Sequence, residues 1–285
     1  MIADAWRLSV GTLTALPVGP PAAVDRRRAG TAMLLAPLAV VPLAAPLGVV
    51  LWGAHLLDLP PLVGALLAVG AVVLGDRAFH LDGLSDVADG LAASYDRERS
   101  LAVMKSGTSG PAGVVATVLV LGLQVAGLAG SVADWHRAIL AGAVLCASRV
   151  ALSWCCLRGV PTARPDGLGA SFAGSVGRTA AMATWLASTI VLAALTAWVG
   201  IGWWRGPLAL VVATVLVGLL VRRAVARFGG AGAWRFRPPR PSHLSSLSRS
   251  DGEGDRPSSG WWRGKKTPPS ALRAATSPFL RNRED

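Results

Sequence analysis

Residues 79–100 read FHLDGLSDVADGLAASYDRERS, which puts three aspartates and two glycines into positions 82–90. A long uncharged apolar run ends only a few residues earlier. Carboxylates so close to a hydrocarbon-loving segment are costly without a partner. What Asp82, Asp86 and Asp89 do there decides how the chain is read.

No proline interrupts Leu81 to Leu91, and the apolar spacing predicts a helix. At about 100° per residue, Asp82, Asp86 and Asp89 fall within roughly a 60° arc, with Gly83 and Gly90 beside it. Leu84, Val87 and Leu91 cover the opposite side, which is expected to pack on a neighbouring helix. Like charges at this spacing destabilise a helix by a few tenths of a kcal/mol per pair. A divalent cation reverses that sign. Carboxylate oxygens suit Mg²⁺, which keeps several waters and completes its shell with phosphate oxygens, and the glycines let a phosphate group approach the backbone. The bland reading is a solvated acidic face that complements a helix dipole; the adjacent glycines favour the metal. Asp76 lies off the arc and reads either as a further ligand or as a partner of Arg77, the pairing being the expectation. His80 reads either as a phosphate contact or as an interface residue.

Outward from this helix, the chain has 285 residues, of which 52% are hydrophobic and only 15% charged, with a mean hydropathy of +0.49. An ordinary soluble domain carries about 25% charged residues. The apolar excess lies in blocks, so the expected fold is all-α: a polytopic membrane helical bundle. Six stretches, 32–53, 58–76, 111–131, 138–157, 180–200 and 206–221, approach the ~20 apolar residues needed to cross a bilayer. Pro37, Pro42 and Pro46 in the first are tolerable kinks. The segment DAWRLSVGTLTALPV before them reads as an interfacial helix, though its period is irregular. It lacks a basic n-region and a long apolar core, so no cleaved signal peptide is read.

Arg26 to Arg28, the loop with Arg77, Arg97, Arg99 and Lys105, the loop with Arg158, Arg164 and Arg178, and Arg222 with Arg223 all fall on one side of six spans. The opposite loops are short and poor in basic residues. The positive-inside rule makes the basic side cytoplasmic, with both termini there. Trp203 and Trp204 suit the far interface. The net charge of +12 sits largely after Arg222 and follows this topogenic pattern, which argues against a nucleic-acid partner. Cys146, Cys155 and Cys156 match no metal-ligand spacing and read as small packing residues. Residues 1–228 form the membrane domain; 229–285 are a basic, low-complexity tail of low hydrophobicity, expected to be disordered.

HLDGLSDVADGL, followed by MKSGTSGPAGV, resembles the cobalamin synthase family (adenosylcobinamide-GDP ribazoletransferase). TLTALPVG is similar to its N-terminal element, Arg149 falls where the family has an arginine within a membrane helix, and ARPDGLGASFAG looks like its second cytoplasmic loop. The likeness covers roughly residues 8–230. It implies a multi-pass enzyme of the cytoplasmic membrane that joins α-ribazole, or its 5′-phosphate, to adenosylcobinamide-GDP with Mg²⁺ and releases GMP. The family's acids carry over onto Asp82, Asp86 and Asp89 as metal ligands. Asp86, at the centre, is the candidate base for the attacking hydroxyl. His80, Gly83 and Gly90 are expected against substrate, and Lys105, Arg149 and Arg164 as phosphate clamps. For Lys105 and Arg164 topogenic charge is the alternative. Asp166, with Gly167 and Gly169, forms either a ligand-contacting loop or a turn.

The chain departs from the family twice. After Met104 the family carries a further aspartate where this sequence has Ser106, Thr108 and Ser109. Past RRAVARFGG it continues with a Thr-Gly-Asp element and an apolar helix, which the tail replaces. A reading-frame shift near Gly230 accounts for that, and translating the other two frames checks it. The alternative is a natural basic tail that touches anionic lipid through Trp261, Trp262, Lys265 and Lys266. Two rivals share parts of the pattern. CDP-alcohol phosphatidyltransferases also space aspartates and glycines at a helix end, but with an Ala-Arg after the first Asp-Gly that is missing here. A secondary transporter would show repeated halves and acids at mid-depth.

Overall fold

The structure, a computed structural model, describes residues 1–162 and 168–229. Arg164, Asp166 and the tail from residue 230 onward lie outside the described residues. In chain order the helices are α1 (Ile2–Leu13), α2 (Arg26–Ala39), α3 (Val41–Leu56), α4 (Pro61–Gly75), α5 (Phe79–Ala93), α6 (Arg97–Val103), α7 (Pro111–Ala129), α8 (Trp135–Ser148), α9 (Val150–Cys155), α10 (Leu168–Phe172), α11 (Arg178–Trp198) and α12 (Arg205–Ala224), the last continued by a π-turn, Val225–Gly229. Among the described residues there is no strand, only an isolated bridge between Leu157 and Val176. The all-α membrane bundle is what forms.

Local chemistry sets the boundaries. Asp25, Asp96 and Asp134 cap α2, α6 and α8 by accepting from the backbone N–H groups of Arg28, Arg99 and Arg137 at 2.7, 2.8 and 2.9 Å, which satisfies donors that have no partner within the helix. Pro61 and Pro111 open α4 and α7, where the missing N–H costs nothing. Among the described residues, five helical segments are long and apolar enough to cross a membrane: Arg26–Leu56, Pro111–Ala129, Trp135–Cys155, Arg178–Trp198 and Arg205–Gly229. The sixth, Pro61–Gly75, is too short alone and joins α5 through a 90° bend.

Three of these segments break at one level. Val40 separates α2 from α3, residues 76–78 separate α4 from α5, and Arg149 separates α8 from α9. Val10, Leu13, Ala36, Ala39, Val40 and Leu43 pack in one cluster with Leu145 and Leu152 against it, and a Cβ on Gly75 would overlap Leu43. From that level α3, α4 and α8 each run about 20 Å to their far ends at 1.5 Å per residue.

Helix α1 packs on α2: it buries Ala5, Ser9, Val10 and Leu13, and Ser9 Oγ donates to the Ala32 carbonyl at 2.9 Å. Ile2 and Trp6 stay exposed. The three cysteines are free and half-buried, with Cys146 and Cys156 packed against core clusters as expected. At one end of the bundle the basic segments meet. Arg26 binds the Gly174 carbonyl, Arg97 that of Phe228, and Arg227 that of Ser94. Trp135, His136 and Trp198 stack at the other end.

Candidate active site

The bend that launches α5 rests on Arg77 and Ala78, with φ of 58° and 57°. Left-handed backbone costs an ordinary residue about 1–2 kcal/mol, so tertiary contacts must hold both. Arg77 supplies them: its Nη2 donates to the carbonyls of Gly11 and Thr14 at 3.1 and 3.3 Å, and the Ala15 N–H donates to the Gly75 carbonyl at 2.6 Å. These carbonyls end α1, where acceptors lack intrahelical donors. The expected Asp76–Arg77 pair does not form, because the left-handed turn throws Arg77 toward α1. Asp76 Oδ2 instead accepts from His80 Nδ1 at 2.8 Å. That bond ties the last turn of one helix to the first turn of the next and leaves the other imidazole nitrogen for a ligand.

Arg149 sits at the break between α8 and α9, its Nη1 donating to Ser148 Oγ at 3.3 Å. Its Nε and the Oδ1 of Asp76 are buried without a hydrogen-bond partner. Asp76, His80 and Arg149 line one cavity.

The three aspartates of α5 separate into two jobs. Asp89 is 6% exposed, and its two oxygens accept from the backbone N–H groups of Gly110 and Gly113 at 2.7 and 2.8 Å. It caps α7 from another helix, which Gly110, the N-cap residue, cannot do for itself. Ser85 Oγ donates to Ser109 Oγ at 3.2 Å beside it. A Cβ on Gly113 would overlap both Ser85 Oγ and Asp89 Oδ2, so the closeness of α5 to α7 depends on that glycine. The packing face of α5 thus runs through Ser85, Asp89 and Gly90, while Leu84, Val87 and Leu91, expected there, are half-buried.

Asp82 is exposed and Asp86 half-buried, one turn apart. Gly83 beside them has open space where a side chain would be, as a ligand-contacting glycine requires. Gly90 does not: Met104 occupies that space, and the glycine serves helix packing. Among the described residues no group of three or more His, Cys, Asp or Glu side chains is placed to hold a metal ion. Asp89 has both carboxylate oxygens bonded to the start of α7.

Lys105 is exposed in the loop between α6 and α7, near a turn in which Ser106 Oγ and Thr108 Oγ1 lie 3.0 Å apart. Two contacts had no counterpart in the sequence reading. Arg227 of the π-turn reaches the end of α5 at Ser94 and stacks over the Tyr95 ring at 4.5 Å, and Arg97 meets the Phe228 carbonyl. The only sequence signal for them was an arginine in each segment. For the cap on α7 the signal was SGPAG itself, a helix start with no acid of its own.

The family model described as cobalamin-5-phosphate synthase matches residues 5–232. An adenosylcobinamide-GDP ribazoletransferase of Nocardioides sp. is 52% identical over 227 residues, covering 80% of this chain and 89% of the relative. Proteins of the same name from Frankia casuarinae and Pseudomonas paraeruginosa are 37% and 39% identical over 79% and 76% of this chain and 85% of each relative. No solved structure matches.

Proposed function

The chain belongs to the cobalamin-5-phosphate synthase family, and from that premise we propose that it is a membrane transferase that joins α-ribazole, or its 5′-phosphate, to adenosylcobinamide-GDP and releases GMP. The observation that carries the site assignment is the pair Asp82 and Asp86, one turn apart beside an open glycine, on a helix bent 90° away from its membrane segment. Clustering of Arg26, Arg97 and Arg227 contacts at one end of the bundle supports placing that end in the cytoplasm.

Asp82 and Asp86 would hold Mg²⁺, since two carboxylates suffice when water and substrate phosphate complete the shell. When bound, the ion neutralises charge on the diphosphate and on the departing phosphate. Gly83 leaves the backbone accessible to the phosphate groups. A free ribose hydroxyl of the acceptor attacks the phosphorus on the cobinamide side, and the bond from that phosphorus to the oxygen bridging to the GMP phosphate breaks. GMP leaves with that electron pair. Asp86 accepts the proton of that hydroxyl with either acceptor. Such a transfer gains most from alignment and charge stabilisation.

The test is GMP release by the full chain in lipid nanodiscs, supplied with adenosylcobinamide-GDP, α-ribazole and Mg²⁺. Asp82→Ala and Asp86→Ala are expected to lower turnover by about 10²-fold or more with the thermal midpoint unchanged. Wild-type turnover in both variants would refute the assignment.

A further inference from the structure

The cavity beside Asp76 is not accounted for by the aspartate pair on α5. Its volume is about 480 Å³, and it lies between α3, α4, α7 and α8 with the start of α5 at one end. That size falls within the ~300–1,000 Å³ range of small-molecule sites. Most of its wall is aliphatic. The polar groups on it are few, principally Asp76, His80, Gln124, Ser148 and Arg149. Two of them are unsatisfied: Asp76, only 6% exposed, has no partner for Oδ1, and Arg149 has none for Nε.

A buried acceptor and a buried cationic donor on one cavity each lose a hydrogen bond that folding does not replace. A ligand that satisfies both must donate to a carboxylate and accept from a guanidinium. A hydroxyl does both, and neighbouring sugar hydroxyls do so with two oxygens in fixed relation. The aliphatic remainder of the wall calls for a flat, weakly polar body behind that sugar. A methylated benzimidazole carrying a ribose has this division of surface, whereas a guanine nucleotide has polar edges that this wall would strand.

We infer that this cavity is the seat of the acceptor nucleoside, with the benzimidazole among the aliphatic side chains and the ribose hydroxyls between Asp76 and Arg149. His80, held by Asp76, then lies at the sugar end, and it precedes Asp82 by two residues. This rests on the transferase reading above and adds a division of labour: the corrinoid diphosphate goes to Asp82 and Asp86, the nucleoside to the interior. The bilayer-embedded half of the protein is then a specificity pocket as well as an anchor.

The test fills the cavity from its far wall. Gly127 lines it and has open space where a side chain would begin. The series Gly127→Ala, Gly127→Leu and Gly127→Phe, with Ser131→Leu as a second position, is assayed in nanodiscs. KM for α-ribazole should rise stepwise, by at least tenfold for Gly127→Phe, while KM for adenosylcobinamide-GDP stays within twofold. Asp76→Asn should raise the α-ribazole KM similarly. Direct binding of α-ribazole to wild-type protein, without Mg²⁺ or corrinoid, should weaken in the same order. An unchanged α-ribazole KM and affinity across the folded variants overturns the inference and leaves the transferase reading standing. A phospholipid that co-purifies with wild type and is lost in Gly127→Phe, with α-ribazole binding intact, also overturns it and makes the cavity a lipid site. A wild type that binds α-ribazole but never releases GMP instead refutes the transferase reading.

Discussion

Asp76 and Asp89 are both 6% exposed, and both stand in the stretch that runs from α4 through α5. Their surroundings differ. Asp89 has an N–H donor on each oxygen, both from the start of α7. Asp76 has His80 on one oxygen and nothing on the other. Equal burial thus hides opposite roles. A buried carboxylate with its acceptors filled holds two helices together, whereas one left half-satisfied marks a place where something else binds.

The sharpest way to break this comparison is Asp89→Ala. It strands the buried Gly113 N–H and the partly buried Gly110 N–H, and a buried donor left unpaired costs about 1–3 kcal/mol, so the thermal midpoint in detergent should fall and activity should follow it. If activity disappears while the midpoint holds, Asp89 belongs with the metal ligands and the contrast is wrong. Gly113→Ala attacks the same contact from α7. Pressing a methyl into Ser85 and Asp89 should cost about 1–3 kcal/mol, read as a lower midpoint with substrate KM values unchanged once the protein is folded.

Asp76→Asn should lower the midpoint less than Asp89→Ala, because an amide oxygen still accepts from His80 and no backbone N–H is stranded, while the α-ribazole KM rises. A large stability loss would place Asp76 beside Asp89 as a structural residue. The smallest effect is expected at Asp134, an exposed cap that serves as a control. Asp134→Ala should cost about 1 kcal/mol. The backbone N–H of Arg137 holds this carboxyl below its ordinary value of 3.8. Its contribution should be complete above pH 3.8 and fade as the pH drops through the lowered native value. Midpoints of wild type and Asp134→Ala should converge there.

Some of this was legible in the chain. The apolar blocks of about 20 residues announce membrane helices because hydrocarbon cannot satisfy an open backbone. The helix across Asp82, Asp86 and Asp89 follows from its spacing, and Arg149 stood out because a charge inside a membrane segment needs a reason. The fate of individual acids was not legible. Helical periodicity puts three aspartates on one arc, but a 60° arc is wide enough for Asp89 to meet α7 while Asp82 stays exposed. Asp76 was paired with its neighbour Arg77, since nothing local forecasts two left-handed residues that α1 holds in place.

What the sequence determined by itself is the solvent each segment must occupy and the chemistry on offer: a bundle of apolar helices, three aspartates with two glycines on one helix, and an arginine within a membrane segment. Only the tertiary structure decided which carboxylate holds the bundle together and which is left to bind. Hydrogen-bond satisfaction at a buried acid depends on donors from helices distant in sequence, here Gly110 and Gly113 for Asp89, and their arrival depends on where three membrane segments break.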